Sequence, residues 1–244
     1  MSAAVGRAVG GRAAPANPIV ALDFATRAEA LALVDRLDGL CRFYKVGGEL
    51  FTAEGPMVVR ELRERGCEVF LDLKFHDIPN TVRGAARSAA ALGVRLLTVH
   101  GSGGEAMVSA AVEGAGGRCG VLAVTVLTSL DAGSLAAAWG KPGASVQDEV
   151  LRLADDARRV GAHGVVCSGQ EVRAVRARHG ESLRLLVPGL RLGGNGTDDQ
   201  SRVATPAEAA RAGASYLVLG RAVSAAADPR TAMAAVLDSL AATG

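Results

Sequence analysis

Aromatic residues make up only 3% of this 244-residue chain, with a single tryptophan among them. Basic runs with interleaved aromatics, the usual footprint of a nucleic-acid binder, are missing, and the formal charge of +2 is close to neutral. Nucleic acid is therefore not an expected partner. No apolar stretch approaches the roughly 20 residues that cross a bilayer, so no membrane association is expected either. Cys41, Cys67, Cys119 and Cys167 are scattered, with no Cys-x-x-Cys pair and no histidine at zinc spacing. The four histidines likewise show no metal-ligand spacing, and no metal site is expected. Unpaired thiols and the lack of an apolar signal segment point to a reducing, cytoplasmic setting. The Asn195-Gly196-Thr197 glycosylation pattern carries little weight in that setting. There is no Gly-x-Ser-x-Gly elbow, and no Gly-x-Gly-x-x-Gly follows the first strand-like run.

What is present is alternation. Strand-like runs occur at Ile19–Asp23, Arg42–Val46, Val69–Lys74, Leu96–His100, Val121–Leu127, Gly164–Cys167, Leu183–Pro188 and Tyr216–Gly220. Between them lie helix-like stretches rich in Ala, Leu, Glu and Arg: Arg27–Leu37, Pro56–Arg65, Thr81–Leu92, Val146–Val160 and Pro206–Ala212. Strand-helix repetition of this kind predicts parallel βα units. Eight units in this length fit a single-domain (β/α)8 TIM barrel, whose usual size is about 250 residues. A doubly wound open sheet is the structural rival. The Ala-, Gly- and Arg-rich residues 1–16 read as a flexible tail, and 17–244 as the barrel. Polar residues gather where the strands end, at Asp23, Lys45, Asp72, Lys74, His100, Thr128 and Arg221, and a barrel builds its active site on that rim. Gly66, Gly93, Gly161 and Gly213 close helices on the opposite side. The longest irregular stretches, Ser129–Ala144 and Leu190–Ser201, both follow strands on the polar rim and read as functional loops.

The most informative run is Phe-Leu-Asp-Leu-Lys-Phe-His-Asp-Ile-Pro-Asn-Thr at 70–81. Asp72 and Lys74, two apart on a strand, point to one face, while Leu71, Leu73 and Phe75 point to the other. Asp77 follows where the strand gives way to a proline turn. The parity of Lys45 in its own strand can set it beside this pair. A lysine held between Asp72 and Asp77 keeps its proton, because neighbouring anions favour the charged form. Each contact at about 4 Å is worth on the order of 4 kcal/mol before desolvation, at an effective dielectric near 20. Such a lysine is a fixed cation and a proton donor, not a nucleophile. A structural ion network across the mouth would carry the same charges. His76 and His100 read as packing or hydrogen-bonding residues, and Ser129, with no base nearby in sequence, as a ligand contact.

A second cluster suggests phosphate. Leu190–Gln200 is glycine-rich, with Arg191 near its start and Gln200 at its end, and Gly220-Arg221 closes the eighth strand. Barrels often hold phosphate between the loops after strands seven and eight.

With these residues assembled, the chain from about Pro18 onward resembles the orotidine 5′-phosphate decarboxylase family. The likeness rests on Ala-Leu-Asp at 21–23, Lys-Val-Gly at 45–47 and Leu-Asp-Leu-Lys-Phe-His-Asp-Ile-Pro-Asn-Thr at 71–81. It continues through Val-His-Gly-Ser-Gly-Gly at 99–104, Val-Thr-Val-Leu-Thr-Ser at 124–129 and Val-Val-Cys-Ser at 165–168. Pro-Gly-Leu-Arg at 188–191, Asp-Gln at 199–200 and Leu-Gly-Arg-Ala-Val at 219–223 complete it. The resemblance implies cofactor-independent decarboxylation of orotidine 5′-monophosphate to UMP by a homodimer. Lys74 would deliver a proton to C6 and Asp72 would face the departing carboxylate. Asp23 and Lys45 would bind ribose, with Lys45 joining the charged network. Asp77, Ile78 and Thr81 would reach into the partner's site. Thr128 and Ser129 would address ribose and pyrimidine. Arg191, Gln200, Gly220 and Arg221 would hold phosphate, and Pro188 belongs to the same substrate-binding set. The loop at 190–200 is expected to close on bound phosphate.

Two rivals remain. One is a magnesium-dependent sugar-phosphate decarboxylase or aldolase of the same barrel group, although Lys45 opposes a divalent cation that wants oxygen ligands. The other is a silent barrel that binds nucleotide phosphates, for which two acids around Lys74 would be superfluous.

Overall fold

The computed structural model describes residues 16–192 and 204–243. Apart from Ala16, the tail expected at 1–16 lies outside the described residues, as do Asn195-Gly196-Thr197 and Gln200. Eight parallel strands run in chain order: β1 Asn17–Ala21, β2 Phe43–Gly47, β3 Glu68–Phe75, β4 Leu96–His100, β5 Gly120–Val124, β6 Gly164–Val166, β7 Arg184–Val187 and β8 Tyr216–Leu219. Each pairs with the next, and β8 returns to β1 through Asn17↔Tyr216 and Val20↔Leu219, so the sheet is a closed barrel. The open doubly wound alternative fails at that last pairing.

The outer layer comprises α1 Arg27–Arg36, α2 Gly48–Glu54, α3 Met57–Glu64, α4 Pro79–Ala91, α5 Glu105–Ala115, α6 Ala132–Trp139, α7 Val146–Arg159, α8 Val172–His179, α9 Pro206–Ala212, α10 Arg221–Ser224 and α11 Pro229–Ala241. Local chemistry accounts for several of their starts. Thr26 and Thr205 each accept from the backbone of a glutamate three residues on, and that glutamate reaches back, forming two capping boxes. Asp131 caps α6 through Ser134 N–H, and Ser145 caps α7 through Asp148 N–H. The segment Ser129–Ala144, expected to be irregular, therefore contains a helix. Gly133 near its start obscured the helical pattern, because glycine weakens helix propensity.

Side chains alternate between two cores. Val20, Tyr44, Val69, Leu71, Leu97 and Val99 face outward and pack beneath the helices. Ile19, Ala21, Phe43, Phe70, Leu96, Leu122 and Leu186 face inward and fill the barrel. The two-residue period of a strand then carries each inward series onto polar residues at the upper rim. Ala21 leads to Asp23, Phe43 to Lys45, and Phe70 to Asp72.

Candidate active site

A cavity of about 390 Å³ opens at the C-terminal ends of the strands. Asp23, Lys45, Asp72, Lys74, Thr128, Pro188, Arg191, Gly220 and Arg221 all line it. These side chains come from six different strand ends or the loops that follow them, which only a closed barrel brings to one place.

Asp72 is the hub. Lys74 Nζ donates to both of its carboxylate oxygens at 2.9 Å. Lys45 Nζ stands 3.9 Å from Asp72 Oδ2 and 2.7 Å from Asp23 Oδ1. Two acids and two ammonium groups thus alternate across the mouth. Lys45 and Asp72 are nearly buried, at 12% and 13% exposure, while Asp23 is 56% exposed. The buried half of the network interacts in a lower dielectric, and the Asp23 end is screened by water.

Gly47 explains the Lys-Val-Gly sequence. A Cβ there would lie 2.8 Å from Lys45 Nζ and 3.1 Å from Asp23 Oδ1, so glycine leaves the room in which that pair meets.

Lys74 departs from the simple strand expected. Its φ is +48°, the one positive value at a non-glycine residue among the described residues. The β3–β4 register also shifts, since Leu71 pairs with Leu97 but Phe75 pairs with Val99. Four steps along β3 are matched by two along β4, so β3 bulges where its acid and base lie. Thr98, fully buried on β4, sits opposite. Its Oγ1 accepts from Lys74 N–H at 2.9 Å and donates to Asp72 Oδ1 at 2.9 Å. Thr98 was missed because a lone threonine in Leu-Leu-Thr-Val-His reads as ordinary core. The available signal was its inward parity, two residues before His100.

The remaining expected residues lie outside this group. Asp77 is exposed and accepts from Ile78 N–H at 2.6 Å, so within one chain Lys74 is held by Asp72 and not between two acids. The cause is the turn after Phe75, which carries Asp77 out of the mouth to the position just before Ile78, the N-cap of α4. Ile78 is 67% exposed, and Thr81 in the first turn of α4 is exposed too. Ser129 is exposed and does not line the cavity, whereas its neighbour Thr128 does. The His76 and His100 ring centroids lie 5.3 Å apart, with the planes tilted by 36°. Burial first, then the neighbouring His76 and Lys74, lowers the pKa of His100, so its ring is neutral beside the lysine. Among the described residues no group of three His, Cys, Asp or Glu side chains forms a metal site.

The chain is similar to known proteins over most of its length. The family model described as "Orotidine 5'-phosphate decarboxylase / HUMPS family" matches residues 16–236. The orotidine 5'-phosphate decarboxylase of Anaeromyxobacter sp. strain K is 54% identical over 222 residues, covering 90% of this chain and 96% of that protein. The enzyme of the same name from Halorhodospira halophila is 50% identical over 236 residues, covering 94% and 98%. The solved structure of orotidine 5'-phosphate decarboxylase from Lactobacillus acidophilus superposes with a TM-score of 0.82 at 36% identity, covering 92% of this chain and 99% of that one. Match, site and barrel together show that the chain belongs to the orotidine 5′-phosphate decarboxylase / HUMPS family.

Proposed function

We propose that this chain decarboxylates orotidine 5′-monophosphate to UMP, the reaction for which its relatives are named, as a step of pyrimidine nucleotide synthesis. One observation carries the reading: a single largely buried carboxylate, Asp72, holds the ammonium of Lys74 in a cavity that Arg191 and Arg221 also line. When the C6–carboxylate bond breaks, its electron pair stays on an sp2 carbon in the ring plane, outside the π-system. Stabilisation must then be electrostatic, and a fixed ammonium beside C6 supplies it. Lys74 Nζ transfers a proton to C6, CO2 departs, and the neutral amine regains a proton from water. Asp72 keeps the ammonium aimed and charged. An acceleration of roughly 10^17-fold, about 23 kcal/mol, exceeds what one contact provides. The remainder is assigned to binding energy gained at the phosphate and ribose.

In this reading Arg191, Gly220, Arg221 and Gln200 hold phosphate, Asp23 and Lys45 take the ribose hydroxyls, and Pro188, Thr128 and Ser129 contact ribose and pyrimidine. Asp77, Ile78 and Thr81 act in the site of a second copy. The exposure of an isoleucine at the start of α4, beside an exposed acid, supports that assignment. A homodimer in the reducing cytoplasm is the working form. The magnesium-dependent chemistry of the same family group is disfavoured, because the Lys45 ammonium already lies between Asp23 and Asp72.

The test follows the ultraviolet change of orotidylate with purified protein in EDTA. Wild type should turn over, and Lys74→Ala should lose at least roughly a thousandfold in kcat while still binding UMP. Turnover by Lys74→Ala at the wild-type rate would defeat the assignment. Loss of wild-type turnover on chelation would restore the metal-dependent alternative.

A further inference from the structure

Thr98 has an unusual pair of bonds for a buried threonine. A buried hydroxyl needs a partner, and a nearby carbonyl suffices, as where Thr125 Oγ1 donates to Val166 O at 2.7 Å. Thr98 instead directs both of its bonds at the charged stretch of β3. Its oxygen takes the N–H of Lys74, and its proton goes to Asp72 Oδ1, the same oxygen that receives Lys74 Nζ. Backbone and side chain of one lysine are thereby tied to one acid through one hydroxyl, in a closed ring of contacts.

The ring coincides with the distortion of β3. The register shift denies Lys74 N–H a regular place in the β3–β4 ladder, and the Thr98 oxygen replaces it. The left-handed backbone at Lys74 is unfavourable for a residue with a Cβ, so the surroundings must hold it. A regular strand would also put residue 74 on the face of Asp72, but two steps, about 6.6 Å, further along; the turn brings the lysine back over the acid, where Nζ meets both carboxylate oxygens.

We propose that Thr98 is a positioning residue for the reaction, holding Lys74 in the left-handed turn that sets its ammonium on Asp72. The inference rests on the decarboxylase reading, and the tests separate the two. In the full-length protein, Thr98→Val keeps the shape and removes both bonds. Its kcat should fall roughly 10- to 100-fold, the scale expected when a reacting group is displaced by about an ångström. KM should stay within about twofold, because the residues assigned to phosphate and ribose are untouched. Thr98→Ser restores the hydroxyl and should recover kcat to within about threefold of wild type. Equal kcat in Thr98→Val and wild type, a loss confined to KM, or no rescue by serine would each overturn the proposal. Should Thr98→Val fail to fold, Thr98→Cys offers a group of serine's shape with a poor donor and acceptor, and must fall below Thr98→Ser. A crystal structure of the valine or cysteine variant decides the geometry whatever the activity: Lys74 should leave positive φ, and its persistence there on Asp72 would overturn the proposal. An inactive wild type would sink the decarboxylase reading instead.

Discussion

Replacing Gly47 by alanine tests the Lys45–Asp23 pair without altering either charge. Gly47 has φ −95° and ψ −176°, extended backbone open to any residue, so the methyl group brings no conformational strain. Its effect is local crowding. The new carbon would stand 2.8 Å from Lys45 Nζ, a separation real Cβ atoms essentially never show, and 3.1 Å from Asp23 Oδ1. The tip of a flexible lysine yields most easily, so the cost to folding should stay within about 1 kcal/mol, a melting shift of at most about 4 °C. The cost to function should be larger. The pair meets at 2.7 Å with its acid half in water, worth about 1 kcal/mol. Displacing the ammonium also disturbs its 3.9 Å contact with the nearly buried Asp72. Together these predict a fall in kcat/KM of roughly tenfold, about 1.4 kcal/mol. Gly48→Ala is the control, since a Cβ there meets nothing within 4 Å. Initial rates of orotidylate consumption and a thermal melt on both variants decide the matter. Indistinguishable kinetics in the two variants would refute the reasoning. A melting loss beyond roughly 10 °C in Gly47→Ala would show that the glycine serves the backbone.

Shared sites would appear in mixtures of Asp77→Asn and Lys74→Ala, each inactive alone. Hybrid dimers should recover part of the activity, and no recovery at any ratio would mean that each copy works by itself. Stability should decline as pH falls from 7 toward 5. Burial, chiefly, holds the folded pKa of His100 and His179 below their ordinary 6.5. The unfolded chain then binds more protons as pH drops through 6.5, so the stability present above that value is lost toward and through the folded pKa values. Urea midpoints at pH 8 and 5.5 measure this, with a smaller slope expected in His179→Asn; a midpoint that rose on acidification would contradict it.

The sequence by itself determined the repeating βα order, the limits of Leu96–His100 and Pro206–Ala212, and the gathering of Asp23, Lys45 and Asp72 at the strand ends that form the cavity rim. Those features depend on local periodicity, capping and the alternation of a pleated strand, all written within a few residues. The resemblance motifs added the reaction, since Asp-x-Lys with its flanking residues is continuous in the chain. Tertiary structure alone decided the rest. Closure required β1 to meet β8, two segments about 200 residues apart, and no local pattern states that pairing. The left-handed turn at Lys74 and the importance of Thr98 arise from a register shift between neighbouring strands, which neither strand encodes alone. Asp77 lies three residues from Lys74 in sequence yet turns out of the mouth in space. Distance along the chain sets which groups can meet, and packing against other strands sets which ones do.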